Sequence, residues 1–207
     1  MNKTIIFLFA RAPIIGTVKT RLSANLGKKN TLKAYKIFLD ISINKLLNLN
    51  KIDKAIFYWP PKSKYFFRYK KSFKFINAQH GSTFNKRLFT SFKTLFDKGY
   101  KEVIVYASDS PDLPKQFLID GIKKMKKNDV IIGQTKDGGY YCLGLKKINL
   151  LSIINKIKSS QSDTAKNIIK RLESVNCKIY KMKKWYDIDT KKDLEVFLKK
   201  NKLILNK

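Results

Sequence analysis

Four short segments hold the residues whose types and spacing could do chemistry. Arg11-Ala12-Pro13-Ile14-Ile15-Gly16-Thr17-Val18-Lys19-Thr20-Arg21 gathers three cations around one glycine. Lys19 and Arg21 can neutralise phosphates, and Gly16 lets backbone approach a ligand. The Gly-Lys-Ser/Thr core of a Walker loop is missing, and one glycine does not make a dinucleotide fingerprint. Ser108-Asp109-Ser110-Pro111-Asp112 puts two carboxylates three residues apart, hard oxygen ligands of the kind that suit Mg²⁺ or Mn²⁺. The same spacing also lets Ser110 or Asp112 cap a following helix. Asp137-Gly138-Gly139-Tyr140-Tyr141 reads as a hairpin turn, or as glycine-permitted backbone beside a ligand, flanked by a carboxylate and an aromatic. In Asp187-Ile188-Asp189-Thr190, Asp189 or Thr190 can cap the last helix, or the carboxylates can join the site.

These segments need positioning, and the chain alternates strand-like and helix-like stretches that would supply it. Strands are expected at 4–10, 55–59, 73–78, 102–107, 130–133, 142–145 and 178–182. Helices are expected at 31–47, 83–96, 114–127, 163–172 and 190–200. That alternation implies an α/β fold with a mostly parallel sheet covered on both faces. Ligands in such sheets sit beyond the carboxyl ends of the strands, where the four segments fall. No linker or repeat divides the 207 residues, so one domain over 1–207 is expected.

Composition excludes several classes. Two cysteines, Cys142 and Cys177, rule out a disulfide scaffold or four-cysteine zinc module, and a single histidine, His80, rules out a His-rich metal site. The apolar run at 5–10 is too short for a membrane span or signal-peptide core, so a soluble protein of a reducing cytoplasm is expected. The net charge of +30 normally points to polyanions. Here it comes from 40 lysines and only 5 arginines, spread along the chain, which reads as a solvated basic surface with no specific nucleic-acid partner. Five of the 15 acidic residues (Asp109, Asp112, Asp137, Asp187, Asp189) nevertheless fall in three of the four segments. Carboxylates beside a cationic loop are the layout for a divalent metal and a nucleotide diphosphate.

In order along the chain, Ala10-Arg11-Ala12-Pro13…Gly16…Val18-Lys19-Thr20-Arg21-Leu22, Gln79-His80-Gly81…Phe84-Asn85-Lys86-Arg87-Leu88, Ser108-Asp109-Ser110-Pro111-Asp112-Leu113, Asp137-Gly138-Gly139-Tyr140-Tyr141 and Asp187-Ile188-Asp189-Thr190…Asp193-Leu194 resemble a glycosyltransferase-like family of the nucleotide-diphospho-sugar transferase superfamily. Molybdenum-cofactor and phospholactate guanylyltransferases are related to it. The resemblance spans roughly residues 3–198. It implies a GT-A-like, Rossmann-like α/β/α sandwich with a mainly parallel mixed sheet. It also implies that Arg11, Lys19 and Arg21 hold nucleotide phosphates, with Ala10, Gly16 and Ser108 beside the nucleotide. Asp109 and Asp189 would hold Mg²⁺ or Mn²⁺, and Asp137 would face the acceptor or the sugar; beside Asp109, Asp137 is the candidate catalytic base. Gly138, Gly139, Tyr140 and Asp163, with Ser159 and Ser160, would face acceptor or sugar. The Gly-Gly-x-Gly-x-Arg first loop and the Asp-x-Asp metal motif common in the superfamily are absent, which leaves Asp112 without an inherited role.

Three functions follow as expectations. The first is a metal-dependent transferase using a nucleotide sugar and a small-molecule acceptor. The second is a nucleotidyltransferase joining an NTP to a phosphorylated small molecule. The third, from a different class, is a polyanion-binding protein driven by charge. A homodimer is compatible with all three.

Overall fold

The computed structural model describes residues 3–155 and 162–201. Its strands are β1 (Thr4–Arg11), β2 (Asp53–Trp59), β3 (Phe75–Ala78), β4 (Glu102–Ala107), β5 (Val130–Gln134), β6 (Tyr140–Leu145) and β7 (Ile179–Lys181). They form one sheet in the order β3-β2-β1-β4-β6-β5-β7. Every neighbouring pair is parallel except the two that involve β6.

The helices are α1 (Thr20–Leu47), α2 (Phe84–Asp97), α3 (Lys115–Met125), α4 (Leu150–Asn155), α5 (Thr164–Glu173) and α6 (Lys191–Lys200). Side chains of a strand alternate between faces, and the core divides accordingly. Ile6 and Leu8 of β1 join a cluster with Leu39 of α1, Leu118 of α3 and Phe197 of α6. Ile5 and Phe7 join a second with Phe92 of α2, Leu151 of α4 and Ile168 of α5. The result is the expected three-layer α/β/α sandwich with a mainly parallel mixed sheet. An apolar run buried on both faces makes β1 a central strand.

The chain leaves β1 for β2 and β3 on one side, then returns to β4 on the other. The crevice between the carboxyl ends of β1 and β4 is thus a topological switch point. β6 runs against both neighbours, so β4 and β5 point the same way and the β5–β6 turn lies at that same end. The reversed strand is what brings Asp137 to the end that holds Asp109.

Several boundaries differ from the expectation. α1 starts at Thr20, eleven residues earlier than the apolar period suggests, and bends at Gly27, whose φ of 76° and ψ of 156° interrupt it. α4 carries too short an apolar pattern to stand out in the sequence. Thr190 does cap α6, in a reciprocal box with Asp193. Asp112 and Ser110 cap nothing, since Pro114 holds the N-cap of α3 without a side-chain bond.

Candidate functional site

Three loops meet at the crevice: residues 11–19 after β1, 108–113 after β4, and 185–189 before α6. Two of them are laced together. Ile188 N–H donates to the Asp109 carbonyl at 2.9 Å, and Ser110 Oγ donates to Asp187. Trp185 Nε1 donates to Asp112 at 3.0 Å, and the Tyr186 hydroxyl donates to the other oxygen of the same carboxylate. Asp112 is consumed in holding two aromatics.

Lys19 occupies the centre. It is the N-cap of α1 in the left-handed region, φ 47° and ψ 51°, a conformation that costs a non-glycine residue about 1–2 kcal/mol. Its Nζ lies 2.5 Å from Asp109 Oδ1 and 2.8 Å from Asp189 Oδ1. The Lys19 side chain is 5% exposed, those of Asp109 and Asp189 43% and 36%. Burial alone would lower the Lys19 pKa, but the two carboxylates outweigh it and hold the pKa above the ordinary lysine value. Asp187 is pushed up to about 7, first by burial and then by the Asp109 charge.

Two cavities flank this cluster and share Phe9, Arg21, Phe84, Asp109 and Asp189. The basic chamber, about 370 Å³, is lined by Ala10, Arg11, Lys19, Ser108 and Arg87 among others. Three of the chain's five arginines, Arg11, Arg21 and Arg87, face it. Among the described residues none of the three has a carboxylate partner. Arg11 Nη1 donates to the Thr17 carbonyl and steadies the first loop. Arg87 stacks 4.7 Å from the Trp59 ring centroid, and its Nε is buried without a hydrogen-bond partner. Burial, then neighbouring Arg11, lowers the Arg87 pKa. Gln79 is buried in the wall, its Nε2 donating to the carbonyls of Ala10 and Phe57.

The second chamber, about 570 Å³, has an apolar floor that includes Phe9, Leu88, Val105 and Tyr140, with Phe84, Asp137, Asp187 and Gly139 nearer its rim. Asp137 Oδ1 accepts from Thr135 Oγ1 at 2.5 Å and from Gly139 N–H at 3.3 Å, which fixes the carboxylate and leaves Oδ2 without a bond in this turn.

The candidate residues divide as follows. Ala10, Arg11, Lys19, Arg21, Ser108, Asp109, Asp137, Gly139, Tyr140 and Asp189 all line one chamber or both. Three others do not. Gly16, at φ 77°, serves the turn closed by Thr17 N–H to Ile14 O. Gly138, at φ 91°, abuts backbone rather than a cavity, since a Cβ there would meet Ser162 O at 1.5 Å. Asp163 is an exposed residue at the start of α5 that makes no capping bond. Ser159 and Ser160 lie outside the described residues. Trp59 carried no sequence signal. Gln79, Phe84 and Arg87 stood inside a matched segment but without a role; the sparing use of arginine in a lysine-rich chain was the available clue.

Among the described residues no group of three or more His, Cys, Asp or Glu could by itself hold a metal ion. Mg²⁺ commonly takes only one or two carboxylates and completes its shell with water and substrate phosphates. Asp109 and Asp189 suit that mode. They come from different loops, converge on one cationic atom and remain more than a third exposed to both chambers.

A protein of Desulfovibrio desulfuricans G20, provisionally named a nucleotide-diphospho-sugar transferase, superposes with a TM-score of 0.87 at 26% identity, over 98% of this chain and 89% of that one. The 4-diphosphocytidyl-2C-methyl-D-erythritol synthase of Anaerococcus prevotii DSM 20548 superposes with a TM-score of 0.60 at 13% identity, over 95% and 97%. A CMP:2-keto-3-deoxy-manno-octonic acid synthetase complexed with CTP gives 0.58 at 10%, over 94% and 96%. The fold is therefore that of the nucleotide-diphospho-sugar transferase superfamily. No curated protein matches the sequence. A family model described as "Uncharacterized protein conserved in bacteria (DUF2064)" matches residues 42–161, more than half of the chain, and the chain belongs to that family.

Proposed function

We propose that this chain is a nucleotide-utilising transferase that moves a sugar from a nucleotide-diphosphate donor to a small-molecule acceptor. One observation carries the reading. A chamber lined by three arginines and a chamber with an apolar floor meet at Asp109 and Asp189. The names of the similar structures, a nucleotide-diphospho-sugar transferase and two nucleotide-dependent synthases, support the nucleotide part of it.

In this reading Arg11, Arg21 and Arg87 bind the diphosphate, for which the guanidinium fork is well shaped. Trp59 and Gln79 form the wall beside the nucleotide. Asp109 and Asp189 would hold Mg²⁺ or Mn²⁺, which when bound offsets charge on the leaving diphosphate. Lys19, buried and cationic, adds a second positive charge close by. An acceptor hydroxyl attacks the sugar's anomeric carbon. The bond from that carbon to the diphosphate oxygen breaks, the nucleoside diphosphate leaves with the electron pair, and the hydroxyl proton passes to Asp137. Holding donor and acceptor in adjoining chambers supplies proximity.

The experiment is thermal stabilisation against UDP-, GDP-, ADP- and CDP-sugars and free NTPs, with and without Mn²⁺, in the wild type and in Asp109→Asn. Binding to the native state raises its apparent stability. A metal-dependent shift with one nucleotide sugar, lost in the variant, supports the proposal and names the donor. A shift with an NTP alone, followed by pyrophosphate release, replaces it with nucleotidyl transfer. No shift with any of them overturns it.

A further inference from the structure

The two chambers differ in charge in a way that the composition of the chain does not explain. Basic residues outnumber acidic ones 45 to 15 overall. Around the second chamber the balance inverts, with Asp109, Asp137, Asp187 and Asp189 against Arg21 alone among the described lining residues. Lys19 and any divalent cation act on Asp109 and Asp189, at the boundary. Asp137 stands on the β5–β6 turn, its carboxylate aimed by Thr135 and Gly139.

The floor below is apolar and partly aromatic. Phe9 and Phe84 meet edge to face, with ring centroids 5.5 Å apart. Phe84 is 43% exposed although it is the first residue of an otherwise well-buried helix face, so its ring is unprotected at the mouth of the chamber. Apolar surface left in a concave pocket with a few directed polar groups is the usual form of a small-molecule site.

We propose that this chamber selects a ligand with an aromatic or apolar face and no negative charge, which presents a hydroxyl or protonated amine to Asp137. That such a ligand is the acceptor rests on the function proposed above; the chemical class rests on the chamber itself. A carboxylated or phosphorylated molecule would set its charge against Asp137 beside an apolar floor, where like charges repel. An uncharged one escapes that repulsion, a cationic one recovers its lost hydration in part from Asp137, and either buries its ring against the floor.

The test uses one ring system in three charge states: indole-3-ethanol, tryptamine and indole-3-acetate. Binding to the full-length protein is measured by saturation-transfer NMR and by titration calorimetry. Tryptamine and indole-3-ethanol are expected to bind, with indole-3-acetate at least about tenfold weaker. That order runs against the net charge of the protein, so non-specific attraction cannot produce it. Asp137→Asn should narrow the gap between tryptamine and the acetate. Phe84→Ala, at an exposed position that leaves folding intact, should weaken all three. Acetate binding as tight as tryptamine overturns the proposal, as does binding untouched by both variants or no binding of any probe at millimolar concentration. Nucleotide binding is read separately with UDP, GDP, ADP and CDP. Its absence would sink the transferase reading while leaving the charge order intact.

Discussion

Ser110 donates its hydroxyl proton to Asp187 at 2.6 Å, although 77 residues separate them. The bond joins the loop that carries Asp109 to the loop that carries Asp189. With Asp112 held by Trp185 and Tyr186 it makes the two loops one unit, so the carboxylates that face Lys19 are placed by bonds that do not involve them.

Lys19 is the cation that balances this unit. Lys19→Met should cost about 2 kcal/mol, less than a fully buried pair because both carboxylates are partly solvated, or roughly 4–8 °C in Tm. Mn²⁺ should then restore more stability to the variant than it adds to the wild type, because its competitor for Asp109 and Asp189 is gone. Melting curves with and without Mn²⁺ check this, and an equal gain in both proteins would refute it.

Arg87 makes a different demand. A lysine keeps the charge but loses both the fork and the stack on Trp59. Arg87→Lys should weaken nucleotide binding about tenfold, near 1.4 kcal/mol. Arg68, which stacks on Tyr65 outside the chamber, should tolerate the same change without effect on the affinity. Calorimetry with the best-binding nucleotide separates the two sites.

Lys45 gives a pH signature. It donates to the Pro111 carbonyl at 2.6 Å and to the Tyr106 hydroxyl at 3.3 Å. Burial lowers its pKa from 10.5 to about 8, partly offset by Asp112. Its folded pKa lies below the unfolded one, so the unfolded chain binds more protons between the two values, and stability rises with pH across that window. The difference in unfolding free energy between wild type and Lys45→Met should move in favour of wild type by about 1–2 kcal/mol from pH 8 to pH 10. Urea titrations at four pH values test the slope; a flat difference would contradict it.

Two glycines separate sterics from backbone strain. Gly138 has φ 91° and Ser162 backbone where a Cβ would go, while Gly27 has φ 76° and nothing within 4 Å. Gly27→Ala should cost only the strain of a backbone region that is essentially glycine's alone, about 1–3 kcal/mol. Gly138→Ala must also move the start of α5 and should cost at least about 3 kcal/mol. Urea midpoints compare them directly, and equal losses would show that the α5 contact yields easily.

The sheet was legible because β1, β2, β4 and β5 are apolar runs bounded by turn residues, a pattern that only burial on both faces requires. The Asp137-Gly138-Gly139 turn signal marked β5 and β6 as a hairpin, but not the insertion of β6 between β4 and β5, because pairing with a distant strand leaves no mark on a six-residue sequence. The early start of α1 was hidden by Gly27, which reads as a break and is in fact a bend. In the site, Asp109, Asp137 and Asp189 could be found because acids are scarce in this chain. Asp112 looked equivalent to them, and only the fold shows that Trp185 and Tyr186 claim it. Nothing in the sequence says that Lys19, rather than Arg11 or Arg21, is the cation that turns inward. That choice follows from its left-handed backbone at the head of α1.

A chain that supplies the counter-ion for its own acidic cluster can fold before meeting any ligand. The consequence is that any metal ion held at Asp109 and Asp189 would arrive by exchange. Its apparent affinity would measure the difference between two attractions, and the released ammonium would become available at the moment of occupancy, beside any phosphates that came with the ion.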